Sequence, residues 1–221
     1  MKKILTRALL GTMALAGSAL ATAPASATNI IVNGSFEDPT ASGAYQTITG
    51  IGPDVLPGWS IDLGNIDLVV QPPYAAYLGS QSLDLVGTGV STGQISQQFA
   101  TVIGQLYNLT FAYTNNTDNP GSVFSASYSV SGTPLTGTVF DSGSTASSQD
   151  WEVFSGYFTA ASLFTTLTFA DISGVGNQGL FLDAVSVSAA PEPATWAMMI
   201  LGFGFVGAAM RRKSAVRAVF A

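Results

Sequence analysis

The chain has no cysteine and no histidine in its 221 residues. Without cysteine there is no disulfide, so a protein of this size outside the cell is held together by burial, with a metal ion as the other means available. Without histidine there is no imidazole zinc site and no histidine acid–base chemistry. Positive charge is scarce and confined: the seven Lys and Arg stand at 2, 3, 7, 211, 212, 213 and 217. Of the 13 acids only Glu192 lies outside 28–190, which leaves that stretch with 12 acids, no base and a formal charge of −12. A surface with no cation cannot neutralise phosphates, so nucleic acid is excluded as a partner, and anionic lipid and polyanionic polymers are disfavoured. Neutral sugars and divalent cations remain. Serine and cysteine triads, Schiff bases and phosphoryl clamps cannot be assembled from this set. A carboxylate pair for glycoside hydrolysis is formally open, but Glu37 and Glu152 are the only glutamates in the body. We expect no enzyme activity.

What is present begins at the two ends. Residues 1–27 carry a basic start (Lys2, Lys3, Arg7), an apolar core from Ala8 to Leu20 and Ala25-Ser26-Ala27. That order reads as a secretory signal peptide with an A-x-A cleavage site, preferred over Ala21-Thr22-Ala23 because the latter would put Pro24 just after the cut. At the other end stand Pro191-Glu192-Pro193, an uncharged apolar run from Ala194 to Met210, and Arg211-Arg212-Lys213. As a helix the run would extend about 25 Å, near the lower limit for crossing a hydrocarbon core, with the basic cluster on the cytoplasmic side. We therefore expect a transmembrane helix over 194–210. Gly202-Phe203-Gly204-Phe205-Val206-Gly207 satisfies the dinucleotide-binding pattern, but it lies inside the apolar run instead of between a strand and a helix, so that reading is rejected.

This C-terminal stretch resembles the PEP-CTERM sorting signal, in the variant with Trp196-Ala197 after the motif. The resemblance implies a sorting segment over 190–221 whose functional residues are Pro191, Glu192, Pro193, Trp196, Arg211 and Arg212. It also implies an exosortase-type processing partner. The protein would then be exported, held at the inner membrane as a precursor and passed to the cell surface or extracellular matrix.

Between the ends, residues 28–189 read as one domain. The stretch is rich in Ser, Thr, Gly, Asn and Val and shows short alternating runs without a sustained helical period. Strands are predicted at 29–32, 58–63, 66–71, 82–86, 94–100, 106–114, 123–130, 135–140, 151–158, 163–170 and 180–187, which argues for an antiparallel sandwich. In the clearest run Tyr107, Leu109, Phe111 and Tyr113 share one face, and Asn108, Thr110, Ala112 and Thr114 the other. Residues 38–56 read as a long loop rich in Gly, Thr, Ser and Pro.

Ordered landmarks run through this body. They are Asn33-Gly34-Ser35-Phe36-Glu37, Pro57-Gly58-Trp59, Ser82-Leu83-Asp84-Leu85, Ile95-Ser96-Gln97-Gln98-Phe99, Gly104-Gln105-Leu106-Tyr107 and Leu182-Asp183-Ala184-Val185-Ser186-Val187. Together they resemble a carbohydrate-binding-module-like jelly roll of the kind found with exchangeable surface anchors. The resemblance implies an all-β, galactose-binding-like β-sandwich, in which Glu37 and Asp183 help hold a structural calcium. Calcium suits carboxylate and carbonyl oxygens, although Ala184 stands where that pattern has a second polar residue. The bland alternative is that both acids hydrogen-bond turns.

Sugar recognition combines a flat aromatic platform with amide and carboxylate groups. The candidates outside the core faces are Tyr45, Tyr74, Tyr77 and Trp151, with Asn115, Asn116 and Gln149 in nearby turns. Trp59 and Trp151 each open a strand, so burial is the competing reading for both. The expected function is a non-catalytic surface or matrix protein that binds or organises neutral polysaccharide. A structural or adhesive protein without sugar specificity is the alternative, and a glycoside hydrolase a more remote one.

Overall fold

The computed structural model describes residues 28–119, 122–141, 143–145, 148–190 and 193–215, with the side chains of the last segment described over 198–211. The expected signal peptide at 1–27, and Pro191 and Glu192 of the sorting motif, lie outside the described residues. Twelve strands and one helix follow one another: β1 Tyr45–Ile48, β2 Gly52–Leu56, β3 Trp59–Gly64, β4 Ile66–Val70, β5 Gln81–Asp84, β6 Gly93–Ala100, β7 Leu106–Asn115, β8 Ser125–Val130, β9 Thr136–Phe140, β10 Glu152–Thr159, β11 Phe164–Asp171, β12 Leu180–Ala189 and α1 Pro193–Ala215. They form two six-stranded sheets, ordered β1-β4-β5-β12-β7-β10 and β2-β3-β6-β11-β8-β9. All described pairings are antiparallel. The chain is an all-β jelly-roll sandwich.

The core follows from strand alternation, since residues two apart share a face. Leu109, Phe111 and Tyr113 of β7, Leu167 and Phe169 of β11, and Leu180, Leu182, Val185 and Val187 of β12 meet between the sheets. Trp59 is wholly buried there, as the burial reading has it; its ring lies 5.5 Å from Phe36 and 6.2 Å from Phe169. Phe111 sits edge-on to Phe169 at 4.9 Å and stacks on Phe154 at 4.8 Å, which ties the two sheets at mid-height.

Two parts of the body differ from the sequence reading. Residues 29–32 are not a strand. They lead into a turn laid against β12, where Ile30 N–H donates to Val187 O at 2.9 Å and Val185 N–H donates to Gly34 O at 2.8 Å. β12 shifts register between Asp183 and Ser186, and Ala184 takes φ 50°, so its backbone groups there turn to the turn segment instead of a strand. Gly34 has to be bare at this contact, because a Cβ would strike the Val185 carbonyl oxygen. Residues 38–56 are not one loop either: they hold β1 and β2, the edge strands paired to β4 and β3. Each edge strand buries a single apolar residue, Ile48 and Leu56, so alternation left almost no signal to read.

The C-terminal run is helical, and Gly202, Gly204 and Gly207 all fall inside α1, away from any strand-to-helix turn. The expectation that it crosses a membrane is not met: among the described residues no helix is long and apolar enough to do so.

Candidate functional site

In the first sheet the strand positions that turn away from the core carry Asp67, Asp84, Ala112, Thr114, Phe181 and Asp183, alternating with the core leucines and aromatics. An open sheet face would leave these groups in water, yet all six are buried. Over Phe181 and Asp183 the cover is the β4–β5 connection, residues 71–80, which folds back over the sheet. The Tyr74 ring stands edge-on to Phe181 at 5.6 Å. Tyr74 O–H donates to Asp118 at 2.7 Å. Ala75 N–H donates to Gln149 Oε1, and the Tyr77 and Trp151 rings lie 5.9 Å apart. Tyr45 joins the same face because β1 pairs it with Val69, which also points outward. Tyr45 and Tyr77 are each 48 % exposed, whereas Tyr74 and Trp151 are half-buried. The face therefore offers ring surface to solvent with polar groups between the rings.

The two expected asparagines go elsewhere. Asn115 spends its amide on the following loop: its side-chain N–H donates to Ser122 O, and its oxygen accepts Phe124 N–H at 2.8 Å. Asn116 is buried beneath the site, donating to Asp84 at 2.8 Å and accepting Asp118 N–H at 2.8 Å, so it buttresses the face. Asp118 and Asp84 were not singled out from sequence. Asp84 was legible as the outward residue between Leu83 and Leu85; Asp118 sits in a turn whose only signal was polarity. Gln149 Nε2 and Trp151 Nε1 are buried without a hydrogen-bond partner among the described residues. A buried donor left unmatched costs roughly 1–3 kcal/mol, so two in one patch mark it as a place where an acceptor is wanted.

Glu37 and Asp183 do come together, on either side of residues 77–81. Asp183 Oδ2 accepts the N–H groups of Tyr77 at 2.9 Å and Leu78 at 2.8 Å, and its Oδ1 accepts Ala184 N–H at 2.6 Å. Glu37 Oε1 accepts Ser80 N–H at 2.8 Å and Gln81 N–H at 3.0 Å, while Oε2 accepts the Ser80 hydroxyl at 2.8 Å. All four oxygens face donors, whose positive ends stand where a cation would need lone pairs. Among the described residues no group of three or more Asp, Glu, His or Cys is gathered for a metal. This donor set suits hydrogen-bonded turns better than calcium.

Burial nonetheless dominates the electrostatics. It pushes the Asp183 carboxyl up to about 7 against the pull of its three N–H donors, with the nearby Glu37 charge adding to the rise. Asp84 is raised as well, by burial first and then, against its hydrogen bonds, by Asp67 opposite it in β4. The Tyr74 hydroxyl is pushed well up by burial and by its bond to Asp118. Asp183 and Asp84 thus hold protons more tightly than ordinary carboxyls, in a face with no base to pair them. The second glutamate, Glu152, accepts Tyr113 O–H at 2.7 Å, a structural tie between β7 and β10.

A cavity also opens on the other sheet. It measures about 390 Å³, between Pro53–Asp54 at the β2 edge and the outward Ser60, Ser96, Gln98 and Thr166. It is polar and offers no exposed ring, since Trp59 below it is buried. The aromatic face of the first sheet is therefore the better candidate for recognition.

Among solved structures the chain is similar to a xylan-binding domain from Paenibacillus barcinonensis, at 14 % identity and TM-score 0.42, covering 67 % of this chain and 94 % of that one. It is similar also to a carbohydrate-binding module solved with β-1,4-galactotriose, at 14 % identity and TM-score 0.46, covering 74 % and 100 %. In sequence it is 29 % identical over 191 residues to halomucin of Haloquadratum walsbyi, a match that takes in 84 % of this chain. The chain spans about 2 % of the length of that relative. Residues 189–213 match the PEP-CTERM protein-sorting motif, which assigns the chain to an export route through the membrane to the cell surface. Residues 29–188 match the family described as protein of unknown function DUF642, and the chain belongs to that family.

Proposed function

We propose that this exported sandwich is a non-catalytic binder of neutral polysaccharide at the cell surface or in the extracellular matrix, acting through the face made by Tyr45, Tyr74, Tyr77 and Trp151. One observation carries the reading: four rings from three stretches of the chain gather on one face of the first sheet. Rings of this kind stack on the C–H faces of pyranoses, while Asp118 and Gln149 between them can bond hydroxyls. The absence of any base in 28–190 favours an uncharged polymer over an acidic one. An exosortase-type enzyme would release the protein from an inner-membrane precursor by cutting near Pro191-Glu192-Pro193.

The test is a glycan array followed by titration of the best hit. Saturable binding is expected, weakened at least about tenfold, or 1.4 kcal/mol, by Tyr77→Ala and by Trp151→Ala. Gln98→Ala, in the cavity of the other sheet, should leave it unchanged. Loss only in Gln98→Ala would move the site to that cavity. Absence of saturable binding to any glycan would favour the structural or adhesive reading.

A further inference from the structure

The geometry points to a second surface: the end of the sandwich from which the chain leaves at Ala190 seats on a lipid bilayer while the tail is attached, with Val102, Ile103, Leu106, Leu163 and Phe164 in the headgroup–acyl boundary. This goes beyond sugar binding and does not depend on it.

Two loops build the surface, 101–105 between β6 and β7 and 160–163 between β10 and β11. They are braced together: Thr101 N–H donates to Leu163 O at 2.9 Å, Gly104 N–H to Ala160 O at 2.8 Å, and Ala160 N–H to Gln105 O at 3.0 Å. The loops therefore present their tips in a defined shape. Those tips are apolar: Val102 is 64 % exposed, Ile103 61 %, Leu163 62 % and Phe164 60 %, with Leu106 beside them at 39 %. Scattered single apolar residues on a surface need no explanation, but a contiguous patch marks an interaction site.

Charge singles out the same end. None of 100–106, 131–135, 159–164 or 186–190 holds a charged residue, in a domain that otherwise carries 12 acids and no base. The 131–135 turn belongs here because a Cβ on Gly132 would lie 3.6 Å from Ala161. Presenting this end to a membrane involves the least repulsion from lipid headgroups and the least desolvation of carboxylates.

The occupant is identified by what the chain does next. Ala190 is fixed at this patch, its N–H donating to Leu106 O at 2.9 Å and its O accepting Gln105 Nε2 at 3.4 Å. Pro193, where α1 starts, follows three residues later, a reach of about 10 Å at most. Along α1 the apolar side chains are exposed on every side, from Met199 at 50 % to Phe205 at 74 %. A helix apolar all round has no polar face to keep in water and requires apolar surroundings. Patch and helix adjoin, so one bilayer boundary serves both. The inference requires contact with that boundary, and it does not require α1 to cross it.

Seating this end would orient the molecule. β7 starts at the patch with Leu106 and ends nine residues later at Asn115, about 31 Å away, beside the Tyr74–Asp118 site. The aromatic rings would then be held at the end of the sandwich far from the membrane.

Because the chain has no cysteine, single labels are clean. Full-length protein carrying an environment-sensitive fluorophore on Ile103→Cys, Phe164→Cys or Asn177→Cys is reconstituted in phosphatidylcholine vesicles containing lipid with nitroxide on the acyl chain. The expected result is a blue shift and several-fold stronger quenching at 103 and 164 than at 177, which lies in the loop before β12 at the far end. Equal quenching at the three positions would overturn the proposal. So would protection at 103 and 164 that grows with protein concentration and shows no lipid quenching, since a second copy of the chain would then cover the patch. Circular dichroism of each labelled protein checks that the sandwich is intact.

Discussion

Asp183 and Asp141 are two wholly buried carboxylates that respond to burial in opposite ways. At Asp141 burial raises the pKa, but the Ser144 hydroxyl, the N–H groups of Asn115 and Gly143, and the Thr114 hydroxyl together outweigh it, and the group ends below its ordinary value. At Asp183 three N–H groups do not suffice, and the carboxyl rises to about 7. The sign for stability follows from proton binding. An acid raised on folding binds protons more tightly when native, so stability falls as pH rises from the unfolded value through the folded one. In chelator, the melting temperature should therefore drop between about pH 4 and pH 7, reflecting a stability loss on the order of a few kcal/mol. Asp183→Asn should flatten that window. Calcium held by Glu37 and Asp183 would change the outcome: adding it at pH 7 would restore the melting temperature, and Glu37→Gln would abolish the response. A melting curve indifferent to calcium at pH 7 would leave the two acids as hydrogen-bonded turn anchors.

At the scale of elements, Asp141 closes the end of β7. Its Oδ2 accepts Asn115 N–H at 2.9 Å and the Thr114 hydroxyl at 3.2 Å, while Oδ1 accepts Gly143 N–H at 2.6 Å. One side chain thus holds the last residues of a strand in the first sheet to the turn after β9, in the second sheet. Asp141→Ala would leave several buried donors unmatched, and we expect a loss of about 3 kcal/mol in urea unfolding. Since its pKa is lowered in the native state, its contribution is present above the ordinary carboxyl value and lost as pH falls through the folded one. The variant should accordingly show a shallower acid-denaturation profile than the parent. A variant as stable as the parent would mean that Ser144 and water take over the cap.

Across the whole molecule, charge and addressing act together. With 12 acids and no base in 28–190, the protein should show no retention on heparin or DNA columns even at low salt. Salt-sensitive retention would overturn the partner assignment. Processing is checked on protein extracted from the cell surface: mature chains should end near Pro191–Ala194, and Pro193→Ala should cause precursor to accumulate. Recovery of Phe203 and Arg212 peptides from the surface form would show that the tail is kept.

Alternation and composition alone determined much of this protein. Tyr107, Leu109, Phe111 and Tyr113 announced a half-buried strand because one face meets a core, and the sorting motif was legible because motif, apolar run and basic end are contiguous in the chain. The confinement of every Lys and Arg to the two ends, and what it excludes, needed no coordinates. Only the tertiary structure decided the rest. β1 and β2 were hidden because edge strands bury one residue each, and the 29–32 segment looked like a strand until the β12 irregularity at Ala184 turned its partner groups aside. Ala112 and Thr114 read as a wet face, yet both are buried, and Thr114 bonds Asp141 and Ser144 from the turn after β9, a contact between segments about 30 residues apart that no local pattern encodes. Tyr45, Tyr74, Tyr77 and Trp151 could be proposed singly from chemistry. Their meeting on one face, and the diversion of Asn115 and Asn116 to bracing, depend on which strands became neighbours.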